Sequence, residues 1–449
     1  MLSSHLRIMD AQWDRTERMS CRVSTAGHSM RREQIVFVGT SDLSGHFRGK
    51  SFPAADLPAR LERGVGLAPT NIFLSASGGI QFTPFGTVGE VFLIPDAATC
   101  VTVPFEDSTT EYFLLGDIRT LEGTPWTFCP RHVLRRALDR LQGETGLRLL
   151  AAFEQEFIYS GAPARPMQPY ELDAYRRQGP FGEVLLAALR HAGVVPDSFL
   201  AEFGPQQFEV TVAPALSLRA ADDAVITREL TQAVAFRLGH RVSFTPLPDI
   251  GGTSSGTHIH WSFLDEDDQA VLYDEKRPMN LSLLGSQFVA GILHHLPDLC
   301  AVTAPSPPSY YRMRPNRFAP MLADVGSLDR GAAVRICPAP GSDPARRARQ
   351  FNVEFRVADA TASPYLALAM VVQAGLDGIR HRRNLDTHQS QPLPNSLAAA
   401  LTRLESSAAA AEWLGPELLP AYVSFKRAEI KGLEGLDESE ICRRYAEVY

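Results

Sequence analysis

Polar residues alternate with apolar residues in four separate segments of the chain. In the first, Glu154 and Glu156 lie within the apolar run 149–159. Successive side chains of a β-strand point to opposite faces, so this spacing predicts a strand with both glutamates on one face. The same alternation recurs in the pairs Gln207 and Glu209, His258 and His260, and Glu354 and Arg356. If these strands share a sheet, one face carries polar side chains and the other packs on apolar residues.

The paired carboxylates need a compensating charge. Adjacent like charges repel, and burying them is costly unless a positive group lies between them, for which a divalent cation is the simplest candidate. An isolated pair such as Glu154 and Glu156 is also compatible with an edge strand whose glutamates are solvated. The recurrence of the pattern in three other segments favours a shared site.

Helical periodicity and turn residues divide the remainder of the chain. Residues 1–33 form a polar, Arg- and Ser-rich extension, and residues 34–125 have the short apolar runs and turn residues of a small β-rich domain. A Pro-rich linker near residues 125–130 precedes a second domain, 126–449. Apolar spacing predicts helices over residues 131–143, 185–192, 220–238, 282–294 and 364–380, and in the tail 396–449.

Composition excludes several classes of protein. A chain of 449 residues exceeds one ordinary core, which agrees with two domains. The net charge of −7 argues against nucleic acid as the main partner. The six cysteines have no CxxC spacing, as expected in a reducing cytosol. We find neither a 20-residue apolar run nor the apolar core of a signal peptide, so the sequence predicts a cytoplasmic protein with no membrane partner.

The charged residues indicate a metal-dependent enzyme that uses ATP. An oxygen-dominated ligand set with one imidazole suits Mg²⁺ or Mn²⁺, and its members are Glu154, Glu156, Glu202, Glu209, His258 and Glu354. Guanidinium groups that can bind phosphate or carboxylate follow at Arg312, Arg314, Arg317, Arg330, Arg335 and Arg356. Metals with arginines are typical of phosphoryl transfer. For any single Arg a surface salt bridge remains the alternative, and for either His a structural role.

Ordered motifs from Ile35 to the C-terminus give the chain a specific resemblance. They are FRGK, the pair Pro95-Asp96, EGTPWTFCPR, FEQEF, EFGPQQFEV, SSGTHIHWS, SYYRMRPNRFAP, DRGAAVRI and VEFRVADATASPYLALA. The chain resembles the glutamine synthetase family, type I-like. The resemblance implies an α+β fold with a β-grasp N-terminal domain and a catalytic domain whose curved antiparallel sheet is flanked by helices. It also implies a ring-shaped homo-oligomer, usually a dodecamer, with active sites at subunit interfaces.

The resemblance also implies roles for individual residues. Glu156, Glu202 and Glu209 resemble the ligands of a metal beside the amino-acid substrate, and Glu154, His258 and Glu354 those of an ion bridging the ATP phosphates, with two to three ions per site. Nucleotide-phosphate contacts are implied for His260 and Arg335, steadying of the transferred phosphoryl group for Arg330, and binding of the glutamate carboxylate for Arg312 and Arg356. ATP would phosphorylate the γ-carboxylate of glutamate, and an amine or ammonia would then displace phosphate.

Departures from the family pattern bear on the substrate. The loop that carries an ammonium-binding Asp in glutamine synthetases corresponds to residues 75–80, which contain no acid, and the family's flap glutamate corresponds to Phe318. An Asn-Gly that helps to hold glutamate corresponds to Thr253-Ser254. Capturing and deprotonating a small cation needs carboxylates, whereas Phe318 offers an apolar wall.

These departures, and the RFAP segment, resemble the γ-glutamylpolyamine and γ-glutamylamide ligase branch of the family. Our hypothesis is therefore an ATP-dependent ligase that joins glutamate to an organic amine. One alternative is a glutamine synthetase that uses ammonia with an acid supplied from elsewhere. Another is a non-catalytic relative with a binding or structural role, which metal binding and ATP turnover would separate from an enzyme.

Overall fold

Segments of alternating apolar residues form two separate sheets. The structure is a computed structural model that describes residues 32–106, 110–164 and 169–449. The predicted extension 1–33 lies outside the described residues except for its last two positions. Residues 34–449 form one compact unit. In the described part of the chain, no helix combines the length and the apolar character needed to cross a bilayer.

The N-terminal sheet has the β-grasp arrangement. Its elements are β1 (Ile35–Ser41), β2 (Phe47–Pro53), α1 (Leu57–Arg63), β3 (Val65–Leu67), β4 (Val91–Pro95), β5 (Val101–Val103) and β6 (Glu111–Arg119). The strand order is β2-β1-β6-β4-β3, and β5 also pairs with β6. A hairpin of β1 and β2 leads into α1, and the last strand, β6, returns parallel to β1 with Phe37 opposite Phe113. This topology confirms the predicted N-terminal fold.

The second sheet carries all four alternating segments. Its strands are β7 (Arg148–Tyr159), β8 (Pro196–Ala201), β9 (Gln207–Val212), β10 (Ala215–Leu216), β11 (Val242–Ser243), β12 (Thr257–Leu264), β14 (Val325–Ser327), β15 (Val334–Ile336) and β16 (Val353–Phe355). The order is β14-β15-β16-β12-β7-β9-β8, with β10 and β11 also pairing with β7. Every pair is antiparallel except β14 with β15. A separate pair is formed by β13 (Leu322–Ala323) and β17 (Gln391–Pro392).

Helices flank this sheet, as predicted. They are α2 (Pro130–Thr145), α3 (Leu172–Arg176), α4 (Phe181–His191), α5 (Leu218–Arg237), α6 (Leu283–Thr303), α7 (Pro307–Arg312), α8 (Pro344–Gln350), α9 (Pro364–Arg380), α10 (Leu397–Ser406), α11 (Ala408–Lys431) and α12 (Glu438–Val448). Residues 364–380 form a helix with the predicted bounds. In contrast, α6 continues to Thr303, past the predicted end at residue 294, and accommodates Pro297 within its length.

The apolar face of β7 packs against α5. Phe153 and Phe157 are buried there, and the buried Gln155 between them donates its Nε2–H to the main-chain oxygen of Ala224 at 2.8 Å. A polar residue on the apolar face is therefore paired, as burial requires. The opposite face of β7 presents Glu154 and Glu156, which are only partly buried.

Several residues of the family motifs link the N-terminal sheet to the helices that flank the second sheet and do not line the candidate site. Arg131, at the start of α2, is almost fully buried and forms ion pairs with Asp96 (2.8 Å), Asp117 (3.0 Å) and Asp222 of α5 (2.9 Å). Tyr365 donates its hydroxyl hydrogen to Asp222 at 2.6 Å. Removing one partner from such a network leaves an uncompensated buried charge, which is costly. The network therefore favours the observed packing of α2 and α5 against the N-terminal sheet.

Candidate active site

Strand register brings the predicted polar residues to one face of the second sheet. Glu154 lies opposite His258, Glu156 lies opposite Glu209, and Glu354 lies opposite His260. Directly opposed residues of neighbouring strands point to the same face, so four strands contribute to a single polar surface. The alternation in the sequence therefore predicts this arrangement correctly.

Glu154 is held by both histidines of β12. His258 Nδ1 lies 3.2 Å from Glu154 Oε2, and His260 Nε2 lies 3.1 Å from Glu154 Oε1. His260 Nδ1 in turn lies 2.8 Å from the side-chain oxygen of Asn352. Burial opposes ionisation of Glu154, but the hydrogen bonds from the two histidines outweigh burial and hold its pKa well below the ordinary range.

Glu354 is the most enclosed of the predicted ligands. Arg335 Nη1 donates to its Oε2 at 2.8 Å, Arg356 Nη1 donates to its Oε1, and His258 Nδ1 lies 3.5 Å from the same Oε1. Burial opposes the charge on Glu354, but the charges of His258 and Arg356 lower its pKa below the ordinary value. We call these two carboxylates and the four residues that contact them the inner end of the site: Glu154, His258, His260, Arg335, Glu354 and Arg356.

The outer end of the site consists of Glu156, Glu202 and Glu209, and its acids have fewer positive neighbours. Glu156 accepts hydrogen bonds from the main-chain nitrogen of Gly256 at 2.9 Å and from Gln207 Nε2 at 3.3 Å. Burial, followed by the charge of Glu156, raises the pKa of Glu202 to about 7. The pKa of Glu209 is raised further, by burial and then by repulsion from Glu154 and Glu156. These shifts indicate a region of negative potential that a cation would relieve.

The donor set fits a hard divalent cation. Ligand atoms of Glu154, His260 and Glu354 lie within 4.8 Å of one another. This triad contains His260 in place of the expected His258, and His258 contacts the same two carboxylates. Carboxylate oxygens with imidazole suit Mg²⁺ or Mn²⁺ better than a thiol-rich set would.

A cavity of about 630 Å³ extends over this face. Its lining includes the predicted residues Glu154, Glu156, Glu202, Glu209, Ser254, His258, Arg312, Phe318, Arg330, Arg335 and Arg356. His260 and Glu354 do not line the cavity but contact Glu154 and His258, which do. The structure therefore brings to one location every residue for which the resemblance implies a role.

Some of the candidate arginines line the cavity, and one forms a salt bridge away from it. Arg312 is buried and donates to the main-chain oxygens of Val357 (3.2 Å) and Arg356 (3.0 Å), which fixes it at the cavity wall. Arg330 is exposed and also lines the cavity. Arg314 instead pairs with Glu438 at 2.6 Å, so for this residue the salt-bridge alternative describes the structure.

The loops at the mouth of the cavity contain Ser254 and Phe318, two of the positions that depart from the family pattern. Ser254 donates its hydroxyl hydrogen to the main-chain oxygen of Arg317 at 2.9 Å, which joins the two loops. Phe318 is 79% exposed and stacks on Phe203, with ring centroids 5.6 Å apart. The acid-free loop 75–80 is not among the described residues that line the cavity.

Three residues that contact the predicted ones were not predicted from the sequence. Tyr170 donates its hydroxyl hydrogen to Glu202 Oε2 at 3.2 Å, and Cys337 Sγ lies 3.8 Å from both His260 Nδ1 and Glu354 Oε2. Asn352, the partner of His260, could have been found, because it extends the alternation of Glu354 and Arg356 by one step. Tyr170 lies in a loop and has no periodic signal.

Comparison with known proteins decides the family. The family model of the glutamine synthetase catalytic domain matches residues 127–445, and that of the glutamine synthetase N-terminal domain matches residues 19–126. The chain belongs to the glutamine synthetase family. As a member of this family it is an ATP-dependent carbon–nitrogen ligase, and the family uses a divalent metal and ATP.

Individual relatives show more specific likenesses. The γ-glutamylpolyamine synthetase of Streptomyces coelicolor is 31% identical over 91% of this chain and 92% of that protein. A γ-glutamylanilide synthase from an Acinetobacter species is 28% identical over 94% of this chain and 91% of that protein. A crystal structure described as a novel glutamine synthase homologue superposes with a TM-score of 0.89 at 39% identity, covering 94% of this chain and all of the other.

Proposed function

We propose that the protein joins the γ-carboxylate of glutamate to an organic amine, with ATP as the source of energy and γ-glutamyl phosphate as the intermediate. The observation that carries this proposal is Phe318, an exposed aromatic side chain at the mouth of a cavity lined with carboxylates and arginines. An apolar wall at this position suits a substituent on the amine better than it suits free ammonium.

The two ends of the site would hold the metal ions. Glu154, His258 and Glu354 of the inner end are the proposed ligands on the ATP side, and Glu156, Glu202 and Glu209 of the outer end are those on the glutamate side, for two to three Mg²⁺ or Mn²⁺ ions. When bound, such ions neutralise the charge on the phosphates and on the carboxylate that attacks them. Acids with raised pKa values at the outer end support a cation there, since they are crowded without one.

The arginines and His260 would position the anionic substrates. We assign the glutamate carboxylate to Arg312 and Arg356, with Ser254 and Glu156 beside it, and the nucleotide phosphates to His260 and Arg335. Arg330, exposed at the cavity wall, would steady the phosphoryl group during transfer. A carboxylate is a poor electrophile, so phosphorylation converts it into an acyl phosphate that the amine can attack. Arg312, Arg330 and Glu354 are therefore the proposed catalytic residues.

Two sequence features support an organic amine. The loop 75–80 has no acid, and Phe318 stands where the family has a glutamate. The two relatives described above are named for a γ-glutamyl polyamine and a γ-glutamyl anilide, and both of these are amides of organic amines. We further propose a homo-oligomeric ring in the cytoplasm, with a dodecamer as the expectation from the family.

Phosphate release by the full-length protein tests this proposal. The reaction contains Mg²⁺, ATP and glutamate, with ammonia or one of a panel of alkyl, aryl and polyamines, and mass spectrometry identifies the amide. Turnover with an organic amine well above that with ammonia is expected. Preference for ammonia would instead establish a glutamine synthetase, and metal binding without ATP turnover on any amine would indicate a non-catalytic relative.

A variant that restores an acid sharpens the test. Phe318→Glu is expected to raise the ratio of ammonia turnover to organic-amine turnover, because a carboxylate at the mouth attracts a small cation and removes the apolar wall. Phe236→Glu is the matched control: Phe236 is also an exposed phenylalanine, and it does not line the cavity. An unchanged ratio in Phe318→Glu would argue against a role for this position.

A further inference from the structure

We infer that the amine substrate is aromatic and that its ring binds a cluster formed by Tyr170, Phe203 and Phe318. This inference rests on the proposed function and assigns the class of the second substrate. We call the three residues the aromatic mouth. They all line the same cavity as the acids and arginines, and all three are exposed, by 61%, 37% and 79% respectively.

The three rings form one continuous surface. Phe203 and Phe318 are nearly parallel, with an interplanar angle of 22° and centroids 5.6 Å apart, while Tyr170 meets Phe203 edge-to-face at 5.5 Å. Aromatic rings prefer these offset-stacked and perpendicular arrangements, and a further ring gains the same interaction by packing on the exposed faces. A linear polyamine has no ring with which to use this geometry.

The backbone conformation of two of the three residues is unfavourable, which indicates a role in function. Tyr170 and Phe318 have positive φ angles of 62° and 53°. Bulky residues rarely adopt this conformation, which costs about 1–3 kcal/mol and is found mainly at functional sites. Since both side chains are largely exposed, burial in a core does not offset this cost.

The aromatic mouth is joined directly to the outer end of the site. Tyr170 donates its hydroxyl hydrogen to Glu202, and the main-chain nitrogen of Phe203 donates to Glu202 Oε2 at 3.2 Å. A nucleophilic nitrogen that approaches the outer end thus has the rings next to it. The amino group and the aromatic ring of one small molecule can therefore be bound together.

The charges around the aromatic mouth do not select against a second ammonium group. Glu202 accepts a hydrogen bond from Tyr170, and the negative charges of Glu202 and Glu209 outweigh the positive charge of Arg330 at this position. Arg317 lines the same cavity, and aromatic faces can also bind a cation. The inference of an aromatic amine therefore rests on the geometry of the rings, and a diamine is the competitor that tests it.

Matched amines test the inference. With ATP, Mg²⁺ and glutamate, kcat/KM is measured for benzylamine, for cyclohexylmethylamine of similar size, for 1,3-diaminopropane and for ammonia. We expect benzylamine to exceed cyclohexylmethylamine by about tenfold, the upper range for aromatic pairing, and to exceed the diamine as well. Equal turnover of the two ring compounds, or preference for the diamine, would overturn the inference of an aromatic amine and leave the proposed organic-amine function intact. Turnover confined to ammonia would overturn both.

Ring-removing variants provide the second measurement. In Phe203→Ala and Phe318→Ala the ratio of kcat/KM for benzylamine to that for cyclohexylmethylamine is expected to fall by about tenfold. Phe236→Ala, which removes an exposed ring outside the cavity, is expected to keep the ratio of the unmodified protein. When turnover is slow, calorimetry of the two amines binding to protein loaded with Mg²⁺, ADP and glutamate compares their affinities directly. Equal ratios in Phe318→Ala and Phe236→Ala would contradict the inference.

Discussion

The inner and outer ends of the site contain acids of the same kind but differ in how the protein compensates their charge. At the inner end, Glu354 is paired with two arginines, and Glu154 with two histidines, so the pKa values of both carboxyls are lowered. At the outer end, Glu202 and Glu209 face other acids, and their pKa values are raised. The fold therefore neutralises one half of its active site and leaves the other half in need of an external cation.

This contrast predicts that equivalent substitutions have similar effects on catalysis but opposite effects on folding. The inner carboxylates are part of a buried ion-pair network, which loses stability when one partner is removed. The outer carboxylates repel one another, and removing one relieves that repulsion when no metal is bound.

The largest expected effect is the loss of catalysis when either end loses a ligand. Glu354→Gln and Glu209→Gln should each lower kcat/KM by about a thousandfold, because metal-bound charge stabilisation contributes several kcal/mol. Phosphate release with the best amine substrate provides the measurement. If Glu209→Gln kept more than a tenth of the activity, the outer end would not be a catalytic metal site.

The next effect is on the stability of the metal-free protein. In EDTA, Glu354→Gln should lower the free energy of unfolding by about 3 kcal/mol, since Arg335 and Arg356 lose their buried partner. Glu209→Gln should leave stability unchanged or raise it, because it removes a crowded acid. Thermal melting compares the variants with the exposed control Glu434→Gln. Equal destabilisation by the two variants would contradict the proposed difference in charge compensation between the inner and outer ends.

Metal should stabilise the protein mainly through the outer end. At a concentration of Mg²⁺ one hundred times its Kd, binding to the folded state alone adds about 2.7 kcal/mol to the free energy of unfolding. We expect a rise in melting temperature on titration of the EDTA-treated protein, and a clearly smaller rise in Glu202→Gln. The absence of any Mg²⁺-dependent rise in the unmodified protein would count against a cation at this site.

The smallest expected effect is the pH dependence of the metal-free protein. The pKa of Glu202 is raised from 4.5 to about 7 in the folded state, so between these values the folded chain binds more protons than the unfolded chain. The contribution of Glu202 to stability should therefore fall as pH rises from 4.5 to 7, by at most about 1.4 kcal/mol per pH unit and by less because Glu202 is partly exposed. Glu209, whose pKa is raised further, adds a fall of the same sign. Melting in EDTA across this range measures the slope. Glu202→Gln should make the profile less steep, and an unchanged or steeper fall in this variant would exclude Glu202 as one of its sources.

The sequence predicts best what depends on local periodicity. The alternation of Glu154 and Glu156 is enough to assign them to one face, and the apolar spacing of residues 364–380, with Pro364 at its start, is enough to give both bounds of α9. The clustering of site residues from four strands follows once those strands share a sheet. Whether a given arginine lies in the site or in a surface salt bridge depends on tertiary contacts, as Arg314 illustrates.

Features that depend on distant segments were not predictable in this way. Tyr170 reaches Glu202 from a loop without periodicity, and its positive φ, like that of Phe318, is imposed by tertiary structure. The motif residues Asp96 and Arg131 are far apart in the sequence, and only the tertiary structure shows that they form an ion pair that links the N-terminal sheet to α2. Pro297 did not end α6, because packing of a long buried helix can outweigh one lost hydrogen bond.

The strand order has a consequence for synthesis of the chain. The central strand β7 pairs with β12, about a hundred residues later, and β12 pairs in turn with β16, about another hundred residues later. A nascent chain that stops before residue 353 therefore presents the free edge of β12 and lacks Glu354. Such an edge readily pairs with other chains. Until the ribosome has added β16, the growing polypeptide has both an unpaired edge of the sheet and an incomplete ligand set.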